Sequence, residues 1–94
     1  MDDIFSILYG LLLGPDNRGE QVGRDKIGDY TIDTCYTQDL GWETTIWKDV
    51  NKMAIVQRYS DKEKAEKGHK IWTAFCAGNP VKAYCVSEGA YIEF

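Results

Sequence analysis

The chain has no surplus of positive charge, no closely spaced cysteines and no apolar run of membrane-spanning length, and each absence removes a class of function. Lys and Arg number 11 against 15 Asp and Glu, a formal net charge of −4. Broad nucleic-acid binding needs a basic surface that displaces counterions from phosphates, so this balance argues against it while leaving room for a local basic pocket. The three cysteines, Cys35, Cys76 and Cys85, are odd in number and far apart. Zinc sites show paired short spacings and disulfide scaffolds an even count. No metal is therefore expected, and the thiols read as reduced and mostly buried. The apolar run Ile4 to Leu13 falls short of the ~20 residues a helix needs to cross a bilayer. Asp2 and Asp3 precede it, where a signal peptide carries Lys or Arg. The run is expected to belong to the mature fold, with no membrane association. No G-x-S-x-G, H-E-x-x-H or P-loop occurs. The glycines of "GPDNRGEQVGRDKIG" do not stand between a strand and a helix, as a phosphate loop requires. Neither catalysis nor a cofactor is expected.

What is present is a folded domain. Hydrophobic residues make up 44% of the 94 and aromatics 13%, which predicts a single domain, 1–94, whose core rests on a few large side chains. Asp2 or Asp3 can cap a helix over 1–14 that Gly14-Pro15 stops. Its residues Ile4, Phe5, Leu8, Leu11 and Leu12 are part of an apolar surface that runs nearly all round. That surface is expected to meet a second copy of the chain in a homo-oligomer. Asp16 to Gly28 reads as a polar, glycine-rich connection, with Arg18, Arg24 and Lys26 as a loose basic cluster on a solvated loop. Three β-rich runs over 29–59, "DYTIDTCYT", "GWETTIW" and "NKMAIVQRY", predict an antiparallel meander with apolar residues on both faces. Asp33 and Glu43 fall on one face in some registers.

A helix over 60–78 follows, with Ser60 as N-cap, Glu63 completing a capping box, Gly78 as left-handed C-cap and Pro80 beyond it. Ala65, Gly68, Trp72, Phe75 and Cys76 form one stripe, with Ile71 and His69 at its edges. A hairpin over 81–94 closes the chain, with Gly89 in a left-handed turn position. The fold class is α+β: a small antiparallel meander sheet with one packed amphipathic helix, an apolar N-terminal helix and a C-terminal β-hairpin.

Gly68-His69 is the feature that most asks for an explanation. Glycine inside a helix costs about 1 kcal/mol relative to alanine. Its place on the stripe predicts that the missing side chain lets the helix lie close on the sheet. His69, the only histidine, reads as a half-buried packing residue with one nitrogen bonded to a strand group. Cys76 is two turns along, too far to pair with it for catalysis. The aromatic side chains are too many for one small core, so an aromatic binding surface is expected as well.

The pattern "DTCYTQDLGWETTIW…MAIVQRYSDKEKAEKGHKIW" resembles a group of small bacteriophage and prophage proteins. The residues that carry the likeness are Asp33, Thr34, Trp42, Glu43, Thr44, Tyr59, Lys62, Glu63, Ala65, Gly68, His69 and Trp72, with Leu8 to Gly14 at the start. The resemblance implies a phage origin and puts weight on Gly68-His69. It leads to the expectation of a non-enzymatic accessory protein acting by binding in the host cytoplasm. Such a protein would antagonise a host defence system by sequestering a small nucleotide-like signal or by blocking a host protein. Binding would use Tyr36, Trp42 or Tyr59 for stacking and Arg24 or Arg58 for charge, with His69 at the site. The alternatives are a structural virion component, such as a head or tail accessory protein, and a small enzyme using His69 and a cysteine.

Overall fold

The computed structural model describes residues 18–38, 40–49 and 52–94. The helix expected over 1–14, with its contact residues Ile4, Phe5, Leu8, Leu11 and Leu12, lies outside the described residues.

Four strands form an antiparallel meander in the order β1-β2-β3-β4: β1 Arg18–Ile27, β2 Tyr30–Thr37, β3 Gly41–Asp49 and β4 Lys52–Tyr59. The stretch expected as a loop over 16–28 is therefore mostly a strand. β1 pairs with β2 from Arg18↔Thr37 to Ile27↔Tyr30, interrupted by irregularities around Gln21 and Gly23. A polar edge strand with an irregular register carries almost no alternation, and tertiary pairing overrides its weak propensity. Gly28, at φ +60°, makes the tight turn into β2.

Every residue of β2 except Tyr36 is buried, so both faces of the sheet are covered, as the mixed pattern suggested. The register pairs Asp33 with Thr45 and Cys35 with Glu43. Asp33 and Glu43 therefore share a face, together with Thr31, Thr37 and Trp47. The other face presents Tyr30, Ile32, Thr34, Tyr36, Trp42, Thr44 and Ile46, and on it lies helix α1, Lys62–Ala77. All three cysteines are buried.

The caps of α1 differ from those the sequence suggested. Asp61, not Ser60, is the N-cap, and its side chain accepts from the Lys64 amide at 2.8 Å, while the Ser60 hydroxyl accepts from Lys64 Nζ at 3.1 Å. Gly78 has φ −82°, and the left-handed residue is Asn79 at φ 56°, a residue type that tolerates this region. The buried face comprises Ala65, Gly68, His69 and Cys76. Phe75, expected on that stripe, is exposed and packs edge-on against the partly buried Trp72.

β5 Lys82–Cys85 and β6 Ala90–Glu93 form the expected hairpin, with Gly89 at φ +68°. It joins the meander through β4, where the Val86 amide donates to the Ile55 carbonyl at 2.8 Å. Tyr30, Ile32, Ile46, Ala54, Val56, Cys76, Ala83 and Cys85 make the apolar core, with Trp72, Ile92 and Phe94 packed against it. Among the described residues no helix is long and apolar enough to cross a membrane.

Candidate functional site

The polar end of the helix–sheet contact begins at Gly68. A Cβ built on it would lie 2.2 Å from the Tyr59 hydroxyl and 2.3–2.4 Å from two ring carbons. The Tyr59 side chain thus occupies the space a side chain at 68 would need, which accounts for a glycine inside the helix. Gly23 on β1 plays the matching part for His69, whose Nε2 would be 2.8 Å from a Cβ at that position.

Between these two aromatic rings runs a chain of hydrogen bonds. His69 Nε2 lies 2.6 Å from Asp25 Oδ2, and His69 Nδ1 lies 2.7 Å from Thr34 Oγ1. Thr34 Oγ1 is 2.6 Å from Thr44 Oγ1, which is 2.8 Å from the Tyr59 hydroxyl. The two threonines sit opposite each other on neighbouring strands and are fully buried. Burial raises the Tyr59 phenol above its ordinary value, opposed by hydrogen bonds with Thr44 and Trp72. Asp25, His69 and Thr34 include the residue types of a nucleophilic triad. Thr34, however, is sealed at 0% exposure and already engaged on two sides, so no substrate carbonyl can reach its hydroxyl. The arrangement holds groups in place.

The chain ends at a groove. A cavity of 380 Å³ is lined by Gln57, Arg58, Tyr59, Ser60, Lys64, Lys67, Gly68 and Ile71. Two lysines, Lys64 and Lys67, therefore border one groove on an acidic chain, while Arg58 stands opposite Glu43 in the register and pairs with it on the other face of the sheet. Lys64 Nζ donates to Ser60 Oγ at 3.1 Å, Lys67 Nζ is 3.4 Å from Glu63 Oε1, and Arg58 Nε is 3.9 Å from Glu43 Oε2. Beside Tyr59 the register places Trp42, and beside Trp42 it places Tyr36, so three aromatics form a row across the same face. Tyr36 and Trp42 stack at a tilt, centroids 5.1 Å apart.

Of the residues expected at a binding site, Tyr36, Trp42 and Tyr59 come together at this end of the sheet, His69 is linked to them through the two threonines, and Arg58 borders the groove but pairs with Glu43 on the opposite face. Arg24 does not join them. It pairs with Asp33 on the opposite face at 2.9 Å, and its guanidinium lies 5.7 Å from the Trp47 ring centre. Asp25, Thr34, Thr44, Lys64 and Lys67 were missed. The threonines carried a usable signal, since each alternates with a core isoleucine. The lysines read as solvent-facing because they are, except where Gly68 beside them opens a concavity. Among the described residues no cluster of three His, Cys, Asp or Glu side chains could hold a metal ion.

No family model, no curated protein and no solved structure matches the chain.

Proposed function

We propose that the protein is a non-catalytic binding domain and that the groove between β4 and α1 takes a small nucleotide-like anion. The observation that supports this reading most is the meeting of Lys64, Lys67 and the Tyr59 ring at one groove, in a chain of net charge −4. Ammonium groups suit a phosphate as mobile point charges. The row Tyr59–Trp42–Tyr36 offers π-faces on which a base can stack, at ~1–3 kcal/mol per base. With the resemblance to phage proteins, the biological setting would be capture of such a molecule in the host cytoplasm, against a defence signal.

The test is a two-dimensional amide NMR titration with inorganic phosphate and with adenosine 5′-monophosphate. Both ligands are expected to shift the amides of Lys64, Lys67 and Gly68, and the nucleotide alone to broaden the indole signal of Trp42. Lys64→Glu/Lys67→Glu should abolish both responses in a folded protein. Unmoved Lys64 and Lys67 signals at millimolar ligand would refute the reading.

A second reading, a virion component or a host-protein blocker, draws on the hairpin. Tyr84 and Tyr91 pair edge-on there and are exposed, as are Val81 and Val86, and exposed tyrosines are favoured at protein contacts. Co-sedimentation with purified particles would favour this reading over a soluble ligand-binding role.

A further inference from the structure

The hydrogen-bond chain runs from one flank of α1 to the other. On one side His69 borders a cleft with Val22, Glu66 and Lys70, where Asp25 meets its Nε2. On the other side Tyr59 and Gly68 border the cationic groove. Each hydroxyl in between has one hydrogen, so their directions are not independent.

When Asp25 and His69 share a single proton, the carboxylate accepts from Nε2–H and Nδ1 is bare. Thr34 must then donate to Nδ1, Thr44 must donate to Thr34, and Tyr59 must donate to Thr44. The phenol hydrogen is used up inside, and Tyr59 offers the groove only a lone pair. A phosphate oxygen at Tyr59 needs the reverse order, with Tyr59 donating outward, Thr44 to Tyr59, Thr34 to Thr44, and Nδ1–H to Thr34. That order requires the Asp25–His69 pair to hold one more proton. Every arrangement that lets Tyr59 donate outward without the extra proton leaves one of the four contacts, Asp25–His69, His69–Thr34, Thr34–Thr44 or Thr44–Tyr59, with no hydrogen in it, at the cost of a buried hydrogen bond.

We infer that Asp25, His69, Thr34 and Thr44 are positioning residues that set whether Tyr59 donates to or accepts from a ligand in the groove, and that binding an anion at Tyr59 draws a proton onto the Asp25–His69 pair. The inference rests on the groove being the ligand site. By reciprocity, whatever favours the extra proton favours the anion, while the single-proton state suits a ligand hydroxyl or amine. The groups that face His69 are Asp25 from β1, Thr34 from β2, and Glu66 and Lys70 from α1 itself. Glu20 of β1 is occupied by Lys62, and Arg24 is turned to Asp33.

Because His69 is the only histidine, its ring nitrogens can be read without assignment ambiguity. The experiment uses uniformly ¹⁵N-labelled full chain, at a pH where free Nδ1 carries no proton, titrated with inorganic sulfate, an anion that does not itself titrate there. The expected result is that Nδ1 moves to its protonated position as the Lys64 and Lys67 amides shift. Thr44→Val is expected to keep the amide shifts and lose the Nδ1 shift, and Thr44→Ser to restore it. Should Thr44→Val not fold, Tyr59→Phe breaks the same chain at its last hydroxyl and is expected to give the same loss. Amide shifts with an unmoved Nδ1 in the native protein would overturn the coupling and leave the groove standing. No amide shifts would overturn the groove and the coupling with it.

Discussion

Helix α1 rests on one sheet face, yet the two halves of that contact are built from different chemistry. Toward its C-terminus Cys76 packs with Ile32, Ile46, Ala54 and Val56, a contact that tolerates some change in shape because burial is non-directional. Toward its N-terminus Gly68 and His69 meet Tyr59, Thr44 and Thr34. There the fit depends on missing side chains and on hydrogen bonds that must all be made at once. The apolar half supplies stability. The polar half supplies a single arrangement, and it is the half beside the groove.

The largest effect should come from emptying the apolar half. Ile46→Ala, at a fully buried position, is expected to cost about 2–5 kcal/mol in urea unfolding, with the amide spectrum around Tyr59 unchanged. If the Tyr59 region altered as well, the two halves would not be separable. Next is overfilling the polar half: Gly68→Ala drives a Cβ into the Tyr59 ring and should cost about 1–3 kcal/mol. Adding Tyr59→Ser makes room, so the double variant should be less destabilised than the sum of the two single changes. Strict additivity would sink the account of Gly68. Third, Thr34→Val keeps the volume but strips His69 Nδ1 and Thr44 of a partner, for a loss of about 1–3 kcal/mol. Thr34→Ser should recover most of it.

The smallest effect is a tilt in alkaline stability. Burial pushes the Cys76 thiol up to about 11 from 9.0. A thiol held neutral by the fold stabilises fully below the unfolded value and loses that contribution as pH rises, here between about 9 and 11, with a slope of at most ~1.4 kcal/mol per pH unit. Cys85 tilts the other way. Burial raises it, but hydrogen bonds from Ser87 and from the backbone at Ile55, Glu88 and Ser87 outweigh this and lower it. Its contribution is present above the ordinary thiol range and fades as pH falls through its lowered value. Melting curves of Cys76→Ala and Cys85→Ala across pH 8 to 11 should separate the two signs; parallel curves would contradict both.

The apolar half was the legible one. Alternation in "DYTIDTCYT" and "GWETTIW", the stripe of α1 and the Gly89 turn all follow from period and punctuation, which are local signals. The packing reason for Gly68 was legible too, because a helix tolerates glycine poorly without a close neighbour. The partner of His69 was not. Asp25 lies on β1, whose polar residues carry no strand period, and a stretch that reads as a loop gives its side chains no place in space. Arg24 shows the same failure. Its charge suggested a ligand, while the register of β1 set it against Asp33. Asp61 displaced Ser60 as the cap by one position, a difference that composition alone cannot decide.

The hairpin has one further consequence. Its strands are four residues each, and it reaches the meander through Ala83 and Cys85 in the core and the Val86–Ile55 bond while its other residues stay largely exposed, whereas β2 is flanked by strands on both sides and covered on both faces. Amide protons should therefore leave in sequence, those of β5 and β6 exchanging through a local opening that spares the meander, and those of β2 only when the whole domain unfolds. The chain then has two thresholds of disorder, and the surface bearing Tyr84 and Tyr91 lies on the lower one.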